Sequence, residues 1–253
     1  MTKAKKILSF WNKRSTKKKL KCTNDHLLEK LETKLITPLI KKNAKVLDLG
    51  CGDGSLLKHL KIYKNIKGVG VDFSEQLIKI SKKNRKGIEF FCHDMSKINN
   101  LEQINGKYDY IITKRSIQNL TSWKDQKKFI NILNNFINKK TRVFLIESSK
   151  VGLKNINKFR KKANLNEIKE PWHNLYLDDL KIKNTKFNKI KLLKIHEMFS
   201  TYYFVSRVLN AHECKKKKKI PNYSDPLNIL GWQLPQNLIK GFSQLKMFEF
   251  RKK

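Results

Sequence analysis

A glycine-rich turn between an apolar strand and a helix is the feature that most constrains this chain. Residues 46–57 read VLDLGCGDGSLL, so a short apolar run ends in three closely spaced glycines and a helical pattern follows. Glycines at a strand-to-helix turn permit positive φ and let a bound ligand touch the main chain. The stretch therefore predicts a Rossmann-like βα unit with a ligand at its turn.

The spacing within this turn argues against a dinucleotide. The usual pyrophosphate fingerprint is G-x-G-x-x-G, whereas here the third glycine falls one residue early and Asp48 precedes the first. A carboxylate at that place repels pyrophosphate and suits a cation. The turn resembles motif I of the class I S-adenosylmethionine-dependent methyltransferases. The resemblance spans residues 40–212 and implies that Asp48, Gly50, Cys51 and Gly52 contact S-adenosylmethionine.

Strand and helix patterns alternate after this turn, which predicts a parallel sheet with crossover helices. The predicted strands cover residues 45–50, 66–73, 88–94, 108–116 and 141–149. Residues 190–199 and 201–211 are predicted as strands six and seven, joined by a tight antiparallel hairpin near Ser200. The fold class is thus α/β, with a seven-stranded, mostly parallel Rossmann-like sheet, an antiparallel last strand and helices on both faces. Residues 1–24 are predicted to form a basic arm, 25–212 the methyltransferase domain and 213–253 a basic extension.

Acidic residues follow the second and third predicted strands, at the sheet edge where open α/β folds bind ligands. The resemblance implies that Asp72 accepts hydrogen bonds from the ribose, that Phe73 packs on the adenine, and that Asp94 and Met95 lie at the adenine. Lys114 follows the fourth strand, where family members face the methionine part of the cofactor. We expect Lys114 either to meet the methionine carboxylate or to be a solvated surface lysine.

Three residues are candidates for acceptor chemistry. His173 and Glu147 are the candidate general bases, and Arg115 is the candidate partner of an anionic acceptor group. His173 lies in the aromatic and polar segment EPWHNLYLDD, which either builds the acceptor pocket or packs as a loop that completes the core. Methyl transfer mainly requires that the acceptor atom be aligned with the methyl group and that water be excluded. A general base helps when the acceptor is a hydroxyl.

Charge supports two interpretations of the partner. The formal net charge is +36, which favours polyanions such as nucleic acid because clustered cations exchange counterions with phosphates. The excess is mostly lysine, runs through every segment and accompanies abundant Asn and Ile, as an A/T-rich genome would also produce. We favour the compositional explanation. The guanidinium of arginine binds phosphates and bases with paired hydrogen bonds, and arginine is not the residue in excess here.

The sequence as a whole predicts a methyltransferase that moves a methyl group from S-adenosylmethionine to an oxygen, or alternatively a nitrogen, of a small molecule or a sugar or glycan precursor. An RNA methyltransferase and a non-catalytic binding module of the same fold are the alternatives. Four unevenly spaced cysteines suggest neither a metal site nor disulfides, and no membrane span is expected. These features fit a cytoplasmic protein, and the sequence leaves its oligomeric state open.

Overall fold

The computed structural model describes residues 1–16, 23–83 and 87–253. Its seven strands form one sheet in the order β3-β2-β1-β4-β5-β7-β6. The strands are β1 (Lys45–Leu49), β2 (Lys67–Asp72), β3 (Ile88–Cys92), β4 (Tyr110–Lys114), β5 (Arg142–Ser148), β6 (Ile190–Glu197) and β7 (Leu245–Lys252). The first five are parallel, and β7 runs antiparallel to both β5 and β6. The predicted fold class is confirmed.

Helices cover both faces of this sheet. Consecutive strand residues such as Val46 and Leu47 alternate between two hydrophobic clusters, as the period of a β-strand requires. One cluster includes residues of α2, α3, α6 and α8, and the other includes residues of α5 and α7. The helices are α1 (Lys3–Ser15), α2 (His26–Leu39), α3 (Ser55–Lys64), α4 (Glu75–Lys82), α5 (Trp123–Ile132), α6 (Lys150–Lys162), α7 (Asp179–Asn184), α8 (Ser200–Phe204), α9 (Asn210–Lys216) and α10 (Pro226–Gln233).

The predicted seventh strand at residues 201–211 is wrong. This segment is helical and consists of α8, a π-helical turn at Val205–Leu209 and the start of α9. Its aromatic and β-branched residues favour strands as single residues, but tertiary packing overrides that preference. The seventh strand is residues 245–252, which lie in the predicted basic extension. The sheet therefore continues past residue 212, the predicted end of the domain.

The N-terminal arm begins with a helix that packs on the domain. In α1, Ile7 is almost completely buried, and Thr2 caps the helix by accepting a hydrogen bond from the Lys5 amide. Residues 17–22 of the predicted arm, which include Cys22, lie outside the described residues. Within the described ranges, no helix combines the length and apolar character needed to cross a membrane.

Candidate active site

The glycine turn is fixed to the end of β2 and lies against the loop that follows β4. The amides of Gly50 and Cys51 both donate to the Val71 carbonyl, at 2.7 and 3.0 Å. Gly50, Gly52 and Gly54 all have positive φ. A Cβ at Gly50 would lie 2.2 Å from the Cβ of Ser116, so only glycine permits this close approach.

Asp72 ties the end of β2 to the same turn. Its Oδ2 accepts a hydrogen bond from the Gly52 amide and its Oδ1 one from the Ser74 amide, both at 2.9 Å. Burial raises the pKa of Asp72 to about 6, against the opposing effect of these donors and the Phe73 amide. The turn and the acidic strand end therefore form one connected unit, as the sequence predicted for adjacent parallel strands.

Asp48 is the most unusual group of the site. The residue is 2% exposed, and its Oδ1 has no hydrogen-bond partner among the described residues. Burial raises the pKa of Asp48 to about 7, while the charge of Lys114 lowers it. A buried oxygen without a donor costs about 1–3 kcal/mol. Such an oxygen beside a ligand-type turn fits a cofactor that supplies a donor or a cation.

Three predicted cofactor contacts lie further along the same edge. Asp94 is exposed, and its Oδ1 accepts a hydrogen bond of 2.8 Å from the Ser96 amide, which caps the 3₁₀ turn at Met95–Asn100. Phe73 and Met95 are half-buried, and Met95 packs on a hydrophobic cluster. Asp94 thus follows β3 as expected, and its structural role is that of a capping residue.

Lys114 and Arg115 converge on one carboxylate that the sequence analysis did not identify. Lys114 Nζ and Arg115 Nη2 lie 3.2 and 3.1 Å from Oε2 of Glu32, which is completely buried on α2. Arg115 also has a positive φ of 56°, which is costly for a residue with a Cβ. Lys114, predicted either to meet the methionine carboxylate or to be solvated, and Arg115, predicted to meet an anionic acceptor group, are therefore both held at an internal acid.

Glu147 organises the loop after β4 from within the protein. Its completely buried carboxylate accepts hydrogen bonds from the Thr113 hydroxyl and from the amides of Ser116, Ile117 and Gln118, at 2.8 to 3.4 Å. Burial raises the pKa of Glu147 to about 7, although the four donors favour the charged form. These contacts show that Glu147 positions the loop after β4. Its role as a general base, like that of His173, stays a prediction.

His173 belongs to an aromatic cluster that includes α1. Its ring stacks on Phe10 with centroids 4.3 Å apart, and Trp11 and Trp172 meet it edge-on at 5.8 and 5.4 Å. Nδ1 of His173 is buried and has no partner among the described residues. Burial, assisted by the nearby charge of Arg14, lowers the pKa of His173, so the imidazole is neutral at neutral pH.

Helix α1 crosses the carboxyl edge of the sheet. Trp11 Nε1 donates to Asn119 Oδ1 at 3.1 Å in the loop after β4. The hydroxyl of Ser74, two residues past Asp72, donates to Asn12 Oδ1 at 2.6 Å. Helix α1, in the predicted basic arm, therefore docks over the loops that carry the predicted cofactor residues.

Sequence reasoning missed Glu32 and the contribution of α1 to the site. A signal for Glu32 was available, because this charged residue occupies a position on the buried face of α2 among Leu28, Leu31 and Ile36. The partners of α1, Ser74 and Asn119, are distant from it in sequence, so no local pattern predicts where this helix docks.

A family model described as a methyltransferase domain matches residues 40–200. The chain belongs to the methyltransferase domain family. The matched range contains the glycine turn, all five parallel strands and every residue predicted for the site.

Individual relatives of this methyltransferase are distant. An uncharacterised protein of Methanocaldococcus jannaschii is 26% identical over 203 residues, which cover 78% of this chain and 79% of that protein. The N-methyltransferase NodS of Bradyrhizobium japonicum, solved in complex with S-adenosyl-L-homocysteine, superposes with a TM-score of 0.59 at 8% identity and covers 97% of this chain and 98% of its own. The TehB-like SAM-dependent methyltransferase of Corynebacterium glutamicum gives 0.54 at 15% identity, with 88% of each chain covered. At these identities the two structures share the fold.

Proposed function

We propose that this methyltransferase transfers a methyl group from S-adenosylmethionine to an oxygen of a small molecule or of a sugar or glycan precursor. The observation that carries the cofactor part is the buried Asp48 oxygen without a partner, beside a turn of three glycines with positive φ. The observation that favours oxygen is the neutral His173, whose Nδ1 is also without a partner among the described residues.

The residues present fit S-adenosylmethionine, which supplies a methyl group activated by a sulfonium. Asp48 would hold the ammonium of the aminoacyl end. Asp72 would accept hydrogen bonds from the ribose hydroxyls, because a carboxylate offers about four acceptor positions and backbone amides use three here. The main chain of Gly50, Cys51 and Gly52 would contact the aminoacyl end, because the glycines allow a ligand to approach closely. Phe73, Asp94 and Met95 would contact the adenine.

His173 would act on the acceptor. A neutral imidazole can take the proton of an acceptor hydroxyl at Nδ1, which increases the electron density on the attacking oxygen. The Oδ1 of the neighbouring Asn174 is also buried without a partner among the described residues, so it offers a second polar contact for an acceptor. Phe10 and Trp11 cover the His173 ring, and the exposed Trp172 offers a ring face to a sugar or planar group.

Calorimetry with S-adenosylmethionine tests the cofactor assignment. Asp72→Ala should weaken binding by about 1.5–3 kcal/mol, the cost of a hydrogen bond to a charged group. Glu75→Gln is the matched control, because Glu75 is an exposed acid near the same strand end that pairs with Lys79 at the surface. A well-folded parent protein that does not bind S-adenosylmethionine would refute the proposal.

Acceptor chemistry needs a separate test. His173→Ala should lower turnover far more than cofactor affinity, while His26→Ala should change neither, because His26 is exposed on α2. Equal turnover in His173→Ala and the parent would show that His173 only packs in the aromatic cluster and takes no part in the reaction.

RNA is the second candidate acceptor, favoured by the formal net charge of +36. Methyl incorporation into bulk tRNA or rRNA at defined positions, with binding that weakens steeply as salt rises, would support it. Salt-sensitive binding without incorporation would reflect the charge alone.

A further inference from the structure

Glu32 holds the buried charges next to the glycine turn in an incomplete arrangement. Its Oε2 receives both Lys114 and Arg115, but its Oε1 is buried and has no partner among the described residues. Buried carboxylate oxygens in folded proteins nearly always have a donor. Glu32 therefore has an accepting oxygen to spare in a place that water does not reach.

The unpartnered oxygen of Asp48 belongs to the same charge cluster. Asp48 pairs with Ile112 of β4, two residues before Lys114, so the side chains of Asp48 and Lys114 lie on the same face of the sheet. Lys114 also bonds to Glu32, which places both acids beside this lysine. The cluster consists of two carboxylates, each with one oxygen lacking a partner among the described residues, and two cations, Lys114 and Arg115. Its formal charge sums to zero.

Such a cluster is complementary to an amino-acid zwitterion. An ammonium has three donors and can satisfy two carboxylate oxygens at once, while lysine and arginine are the usual partners of a carboxylate. The backbone of Arg115 is held in a costly left-handed conformation, and strain of this kind marks residues whose position is set by a site. A merely structural ion pair would not require an acid with an unused buried oxygen.

We infer that Glu32, reaching the site from α2, binds the α-ammonium of the cofactor together with Asp48, and that it holds Lys114 and Arg115 in place for the carboxylate of the same aminoacyl group. This inference rests on the proposed function, since it concerns the same cofactor. It assigns a cofactor-binding role to a helix that precedes the glycine turn in the chain.

Calorimetry on Glu32→Gln with three ligands tests the inference without measuring turnover. S-Adenosylhomocysteine carries the whole aminoacyl group, its deaminated analogue lacks only the ammonium, and 5′-methylthioadenosine lacks the entire group. We expect Glu32→Gln to bind S-adenosylhomocysteine at least about tenfold more weakly than the parent, the scale of a lost charged hydrogen bond. The affinity for 5′-methylthioadenosine should stay within about twofold. The deaminated analogue retains the carboxylate, so its affinity should fall, but by less than that of S-adenosylhomocysteine.

Glu29→Gln on the same helix is the matched control and should leave all three affinities unchanged. If Glu32→Gln fails to fold, as judged by circular dichroism, Glu32→Asp retains the charge but withdraws the oxygen, and it should lose affinity selectively for S-adenosylhomocysteine.

Two results separate the possible failures. Unchanged or tighter binding of S-adenosylhomocysteine by a folded Glu32 variant overturns the role of Glu32 and leaves the proposed function standing. A folded parent protein that binds none of the three ligands overturns the proposed function itself.

Discussion

Cofactor binding by this methyltransferase should depend on pH through Asp48. Burial raises the pKa of this carboxyl to about 7, and no described residue donates a hydrogen bond to its Oδ1. A cationic group of the cofactor binds the ionised form of Asp48 and gains little from the protonated form. Acidification from about pH 8 to about pH 6 should therefore weaken binding.

The magnitude follows from the fraction of Asp48 that is ionised before binding. With a pKa of about 7, roughly nine in ten side chains are charged at about pH 8 and roughly one in ten at about pH 6. Apparent affinity scales with the binding-competent fraction, so the dissociation constant should rise about tenfold over this interval. The sign is fixed by the raised pKa: affinity is complete above about pH 8 and is lost as the pH falls through 7.

Isothermal titration of S-adenosylhomocysteine across this pH range measures the effect. Asp48→Asn is the matched variant, because it keeps the shape of the side chain and removes the titrating group. It should bind more weakly at about pH 8 than the parent and should lack most of the pH dependence. Asp72, with a pKa of about 6, contributes in both proteins and becomes important only at the acidic end.

An Asp48→Asn profile as steep as that of the parent would refute this reasoning, because the titrating group would then be another residue. A parent affinity independent of pH between about pH 6 and about pH 8 would show that Asp48 is ionised throughout, and hence that Lys114 outweighs burial.

Three further predictions concern the framework of the site. Gly50→Ala should destabilise the fold by more than about 2 kcal/mol in urea denaturation, since φ strain and overpacking combine there. Gly241→Ala has a similar φ, but its Cβ would make only an ordinary contact, 3.8 Å from Asn155 Nδ2, so it should cost less; equal losses would contradict the close approach at Gly50. Glu147→Ala leaves three buried amides without an acceptor and should cost at least about 3 kcal/mol, or about 6–12 °C in melting temperature; a smaller shift would mean that water replaces the carboxylate. Trp11→Phe removes the hydrogen bond to Asn119 and should speed release of S-adenosylhomocysteine about two- to tenfold in stopped-flow measurements; an unchanged rate would show that α1 does not control release.

The parallel half of the fold was predictable from sequence because its signals are local. Each strand from β1 to β5 is a short apolar run followed by a helix start, and caps such as Ser74 and Ser149 stand where the helices begin. The antiparallel half was mispredicted because its pairing is not local. Between β6 and β7 the chain inserts α8, α9 and α10, and the aromatic start of this insertion resembles a strand.

The site residues also divide into those that local sequence patterns predict and those that they do not. That the glycine turn and Asp72 lie at the same sheet edge was predictable, because they follow adjacent parallel strands. The hydrogen bond that joins them was not predicted. The role of Glu147 was not predictable, because a carboxylate at a strand end gives the same sequence pattern whether it faces a ligand or protein amides. Here it faces the amides of the loop after β4. Glu32 contacts residues more than eighty positions away, which no local pattern reveals.

The position of β7 has a consequence for the way the chain assembles. Residues 245–250 are all buried between β5 and β6, and β6 reaches the rest of the sheet through this strand. Before β7 inserts, β5 is an apolar edge with unpaired amides and carbonyls, the kind of edge that pairs with other chains. A nascent or truncated chain without these residues can complete the cofactor half of the sheet and still aggregate through β5. Solubility during synthesis therefore depends on a strand far from the glycine turn.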